Sequence, residues 1–196
     1  MHALWLSALL LGAATEPSDA RIVFEGLRMD RYPVRGRDVA AVRAALDAAR
    51  VRDENDGTLV EAYTHGHVHG TWTAPAGKDR GAPCRPETIA IRYSATMRLP
   101  YLDEPDPPPA LAQAWQLYAA NLEAHEMEHL ERIRRALPRL AAAIAAAPCA
   151  QADAAGAAVL EQIRAEGRAY DLETEHGRSE GAVFPPPTTR PVERDD

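Results

Sequence analysis

The chain has 196 residues, 46% of them hydrophobic, which is the size of one domain able to bury a core without staples. Its formal net charge is −7, and its arginines are spread along the chain rather than clustered. That balance argues against a nucleic-acid binder and against a polybasic membrane-surface protein.

Leu4 to Ala14 form an apolar run of signal-peptide length, with small residues offering cleavage after Ala14 or Ala20. Its amino-terminal flank lacks Lys and Arg and carries only the terminus and His2. The run is too short to span a bilayer, so residues 1–20 read as a leader and the protein as secreted or periplasmic, with no stable membrane insertion after cleavage. Arg21 to Val34 looks extended and ends near Gly36. Asp38 is placed to cap a helix to about Arg50, whose Val39, Val42, Ala45, Leu46 and Ala49 form one apolar stripe. Asp56-Gly57 makes a turn.

Two alternating segments follow, Leu59 to Thr73 and Thr88 to Leu99, joined through the Pro- and Gly-rich stretch Ala74 to Pro86. Together with the first extended segment they suggest a small sheet of three or four antiparallel strands. Beyond Pro107-Pro108-Pro109 the pattern turns helical from about Ala110 to Ala147, with a break or kink expected at Pro138. A second helix is expected from Ala152 to about Tyr170. Strands followed by helices give an α+β class, with a domain over residues 21–181 and a disordered Pro-rich tail over 182–196. Cys84 and Cys149 lack metal-ligand spacing and, in an exported chain, are expected to close a disulfide.

His125-Glu126-Met127-Glu128-His129 spells H-E-x-x-H on the long helix. Residues four apart share a helix face, so two imidazoles can hold one metal ion while Glu126, about 100° around the helix, stays outside the ligand set as a general base. Trp115, Tyr118, Ala119, Leu122, His125, Glu126, His129, Ile133 and Ala136 form one continuous stripe, which puts both imidazoles in line with the apolar face. Imidazoles buried there must be hydrogen-bonded or metal-bound. A hydrolytic zinc centre needs a third ligand, and His176 is the only histidine downstream of the motif. Its carboxylate rivals are Glu161, Glu166, Asp171 and Glu173, and Asp171 is otherwise an acceptor for a ligand imidazole N–H. Glu128 and Glu131 are expected to pair with Arg132 and Arg135. His65, His67 and His69 share one strand face. Three readings stand for them: a solvated sheet face, a metal site of their own, or an edge that faces substrate.

Tyr32-Pro33-Val34-Arg35-Gly36, Glu61-Ala62-Tyr63-Thr64 with Trp72, Cys84 before a strand ending at Leu99-Pro100, Trp115, the H-E-x-x-H, and Tyr170-Asp171-Leu172-Glu173-Thr174-Glu175-His176-Gly177 together resemble the bacterial domain of unknown function 922. The resemblance spans about Tyr32 to Gly181. It implies a secreted zinc-dependent protease of the zincin clan and a minimal zincin fold, with a small antiparallel sheet packed against the active-site helix and the third ligand on a following helix. His125, His129 and Glu126 carry over directly, His176 through the second motif, and Tyr170 is a candidate substrate-facing side chain.

The expected activity is hydrolysis of a peptide bond in a peptide or protein by a monomer, using water activated by Zn2+ and the Glu126 carboxylate. A metal-dependent amidase and a non-enzymatic exported zinc-binding or envelope partner protein are the alternatives.

Overall fold

The structure is a computed structural model and describes residues 20–78 and 83–186. In chain order it runs β1 (Arg21–Val34), α1 (Val39–Ala49), β2 (Val51–Arg52), β3 (Leu59–Val60), β4 (Tyr63–Trp72), β5 (Ile89–Leu102), α2 (Pro109–Ala146) and α3 (Ala152–Thr174). Short 3-10 turns occupy Cys149–Gln151 and Arg178–Glu180. The expected leader, Ala20 aside, and the tail from residue 187 onward lie outside the described residues.

Strand β5 is central in a three-stranded sheet of order β1-β5-β4. Ile89, Ile91, Tyr93, Ala95, Met97 and Leu99 alternate along it and are all buried, because α2 packs on that face. β4 pairs with β5 antiparallel, Tyr63 opposite Arg98 and Trp72 opposite Ile89, as the alternation suggests. β1 pairs with β5 in parallel, so the expected all-antiparallel sheet is corrected to a mixed one. Alternation specifies which face is buried, whereas strand direction follows from the connection, and α1 with β2 to β4 between β1 and β5 is ample for a parallel return. The segment expected as one strand from Leu59 is divided: Leu59–Val60 pairs with β2 in a small hairpin, and β4 begins at Tyr63.

The N-cap of α1 forms as expected, with the Asp38 carboxylate accepting from the Ala41 N–H at 2.8 Å and Val42 and Leu46 buried. α2 starts with Pro109 at its first position and runs unbroken through Pro138, which corrects the expected break. A mid-helix proline costs about 3 kcal/mol. Leu137 and Leu140 beside it are each 1% exposed, and burial of about 1.5–3 kcal/mol apiece offsets that loss.

Cys84 and Cys149 are joined in a disulfide, Cα to Cα 5.4 Å, tying the loop before β5 to the turn after α2. Phe184 is 3% exposed and stacks edge-on with Trp115 and Tyr118 at 5.9 and 5.6 Å. The tail expected from residue 182 is therefore packed at least through Phe184, since one aromatic ring seated between two others outweighs the polar composition around it. Gly66 on β4 brings the strand close to α2, because a Cβ there would lie 2.7 Å from Ile133 Cδ1. Among the described residues no helix is long and apolar enough to cross a membrane.

Candidate metal centre

Two helices bring the site together. On α2, His125 and Glu126 are buried and His129 is half-buried, in line with Trp115, Tyr118 and Leu122 as the stripe requires. On α3, Tyr170, Asp171 and Thr174 are the buried residues of the last turn, spaced so that they face α2 together. The Thr174 hydroxyl donates to the Tyr170 carbonyl at 2.8 Å and accepts from the Gly177 N–H at 3.2 Å, closing the helix end. Glu175, His176 and Gly177 then all adopt positive φ (51°, 53° and 80°). For the two non-glycine residues this costs roughly 1–2 kcal/mol each. Gly177 is required on two counts, its φ and its contact, since a Cβ there would lie 2.9 Å from Cγ of His125.

Asp171 Oδ1 lies 2.9 Å from His129 Nε2 and 3.4 Å from His125 Nε2. Ligand atoms of these three residues all fall within 4.8 Å of one another, and they are the one such group of His, Cys, Asp or Glu found among the described residues. His176 stands beside this group rather than in it, with Nδ1 3.7 Å from Asp171 Oδ1 and Nε2 3.6 Å from Asp56 Oδ2. The third member of the group is thus Asp171, which the sequence offered as the alternative to His176. Glu161 and Glu166 are engaged with Arg164, Arg168 and Arg139, and Glu173 is exposed, so the other carboxylate rivals are elsewhere. Glu128 pairs with Arg132 and Arg135 as expected, while Glu131 pairs with Arg134.

The electrostatics follow from burial set against these contacts. Burial raises the Asp171 carboxyl, but hydrogen bonds from His125 and His129 outweigh it and hold the group well below the usual carboxylate range. Burial lowers the His125 imidazole, and its contacts with Asp171 and Glu180 outweigh that and raise it. Glu126 is 4% exposed, and burial pushes its carboxyl up to about 7 against the pull of the His129 and His125 charges. Its Oε2 is buried and has no hydrogen-bond partner among the described residues. Thr64 on β4 fixes this part of α2 by donating its hydroxyl to the Glu126 carbonyl at 3.0 Å.

A cleft of about 750 Å³ opens over the group, its walls including Thr64, His65, Glu126, His129, Asp171 and His176. The three strand histidines part company here. His65 and His67 line the cleft and His69 does not. His65 Nε2 pairs with Asp53 Oδ1 at 3.3 Å, and that hydrogen bond raises its imidazole against burial. His67 and His69 are exposed, and the three form no metal group. Tyr170, expected to face substrate, lies behind the site instead, stacked on His125 at 4.9 Å with the Arg132 guanidinium 4.0 Å over its ring.

Sequence reasoning missed Asp53, Thr64 and Glu180. Glu180 Oε2 is 2.8 Å from Nδ1 of His125, and the Tyr170 hydroxyl donates to both Glu180 oxygens. Its one sequence signal is position, in the three-residue interval between Gly177 and Gly181 directly after the Tyr-Asp motif.

Fold and site thus define an α+β protein with a His-His-Asp cluster, buried at His125 and Asp171 and half-buried at His129, and a buried glutamate lining the same cleft. The chain belongs to the family described as bacterial protein of unknown function (DUF922), whose model matches residues 29–177. Neither a curated protein nor a solved structure matches it.

Proposed function

We propose that the chain is a zinc-dependent metallopeptidase of the zincin kind, exported to the periplasm or beyond, that hydrolyses peptide bonds. The donor set fits the ion: two imidazole nitrogens and one carboxylate oxygen are among the ligands catalytic zinc takes, and a three-residue set leaves a position open. His125, His129 and Asp171 would hold it. Zinc bound there supplies a Lewis acid that polarises a carbonyl and makes water more acidic.

The observation that carries the reading is Oε2 of Glu126, a buried carboxylate oxygen without a partner in the same cleft as the three donors. A buried carboxylate oxygen left without a partner is expensive unless it serves a ligand or a reaction. Glu126 takes a proton at Oε2 from the attacking water and returns it to the leaving amine. Asp171 and the two histidines hold one another in position through Asp171 Oδ1. β4 is an edge strand whose residues 64–68 line the cleft, so its outer backbone groups are open to an extended peptide, which favours a peptide over a small amide as substrate. The Leu4–Ala14 run and the Cys84–Cys149 disulfide both support an oxidising compartment outside the cytoplasm.

Metal analysis of the purified protein is the test. Near-stoichiometric zinc, lost in the His125→Ala, His129→Ala double variant, is the expected result. A metal-free wild type whose melting temperature does not respond to added zinc contradicts it.

A further inference from the structure

We infer that Glu180 is a positioning residue of the metal centre, holding His125 so that its Nε2 faces the metal, and that Tyr170 holds Glu180 in turn. The inference rests on the metal reading above and deepens it.

An imidazole offers a metal one nitrogen, and the hydrogen bond on the other decides which one. In His125 the two nitrogens are divided between two carboxylates: Nε2 points to Asp171 Oδ1 at 3.4 Å, and Nδ1 to Glu180 Oε2 at 2.8 Å. Glu180 therefore sits on the far side of the ring from the ligand group, where an acceptor fixes the tautomer and adds electron density to the imidazole. Its own placement is built in at three points. The Tyr170 hydroxyl donates to both of its oxygens at 3.0 and 2.9 Å, while the Tyr170 ring stacks on His125 at an interplanar angle of 22°. The turn that carries it is bounded by Gly177 and Gly181, at φ 80° and 85°, and closed by Glu180 N–H donating to the Gly177 carbonyl at 3.0 Å. That turn is fastened to α2 one helical turn before His125, because Asn121 Nδ2 donates to the Gly181 carbonyl at 3.1 Å.

Glu180 lies beyond residues 29–177, so the centre extends past the stretch that the family model matches. Its side chain is 40% exposed while that of His125 is 2% exposed, so the pair supports folding as well as the orientation of the ring. Zinc affinity and the ligand field of a bound metal separate a positioning role from a merely structural one, because folding alone moves neither.

The test is zinc affinity of the full chain, stripped of metal and titrated against a chromogenic chelator, for wild type, Glu180→Ala and Glu180→Gln. The expected result is affinity 10- to 100-fold weaker in Glu180→Ala. Glu180→Gln, which keeps the shape and an acceptor oxygen but not the charge, is expected in between. Melting of the zinc-free chain should fall in Glu180→Ala and less in Glu180→Gln, and the visible spectrum of the cobalt-substituted protein should change in both. If wild type binds zinc and both variants match it within twofold, the role of Glu180 is overturned and the metal reading stands. If wild type binds no zinc, both fall together.

Discussion

Asp171 is flanked by Nε2 of His129 and of His125, with His176 Nδ1 at 3.7 Å, and this crowding of imidazoles holds well below the usual carboxylate range a carboxyl that burial alone would raise. An anionic donor between two ring nitrogens is already two thirds of the way to a cation site, whereas His176 is half-buried and shared with Asp56. Asp171→Asn should therefore weaken zinc binding by at least about 100-fold and His176→Ala by far less, on the scale of ligands against their neighbours. Chelator competition measures both, and the reverse order would return the third corner to His176. The residues of the centre were legible to different depths for physical reasons. His125, Glu126 and His129 stand at a spacing that any helix converts into one face, so five letters suffice. Asp171 and His176 occupy the same motif, and what separates them is the end of α3 at Thr174 followed by successive positive φ angles, which turn His176 away from the helix face. Glu180 and Asp53 reach the site through long-range contacts that leave no local period to read.

Glu61, between β3 and β4 on the cleft wall, joins α1 to α2. Its carboxylate is hydrogen-bonded by Arg43 of α1, by Arg50 at the end of that helix, and at 2.6 Å by the Tyr118 hydroxyl of α2. Burial raises its carboxyl, and these donors outweigh burial and lower it from the ordinary value of 4.5. A carboxyl lowered on folding binds fewer protons in the native than in the unfolded state near that pH, so its stabilisation is present above 4.5 and is lost as the pH falls through the lower folded value. Urea unfolding across that window should show a steeper loss of stability for wild type than for Glu61→Gln; equal slopes would deny the linkage. At this scale most elements were legible, since the stripes of α1 and α2 and the alternation of β5 are periodic signals. The unbroken passage of α2 through Pro138 was not, because flanking burial overrides a local breaker. Nor was the separation of Leu59–Val60 from β4, since pairing partners, not propensity, divide that segment.

For the whole molecule, the layer order of mixed sheet, α2 and α3 is fastened at one end by the Cys84–Cys149 disulfide, which closes a loop of sequence separation 65. Chain entropy alone assigns such a loop about 4 kcal/mol, so Cys84→Ser, Cys149→Ser should lose stability on that order in chemical denaturation, and a loss near zero would contradict it. The α+β class was legible from strands preceding helices, while the parallel direction of β1 and the packing of Phe184 depend on where the chain returns in space. These features converge on one arrangement, three residues that could hold a metal ion with the Glu126 carboxylate in the same cleft beside an edge strand. The most direct measurement is peptide cleavage and zinc content of Glu126→Gln beside wild type. The account predicts zinc retained at wild-type stoichiometry with cleavage reduced by about 100-fold or more, the scale of a general base. Equal cleavage by the two proteins, or no cleavage by zinc-loaded wild type across a broad peptide library, would contradict it.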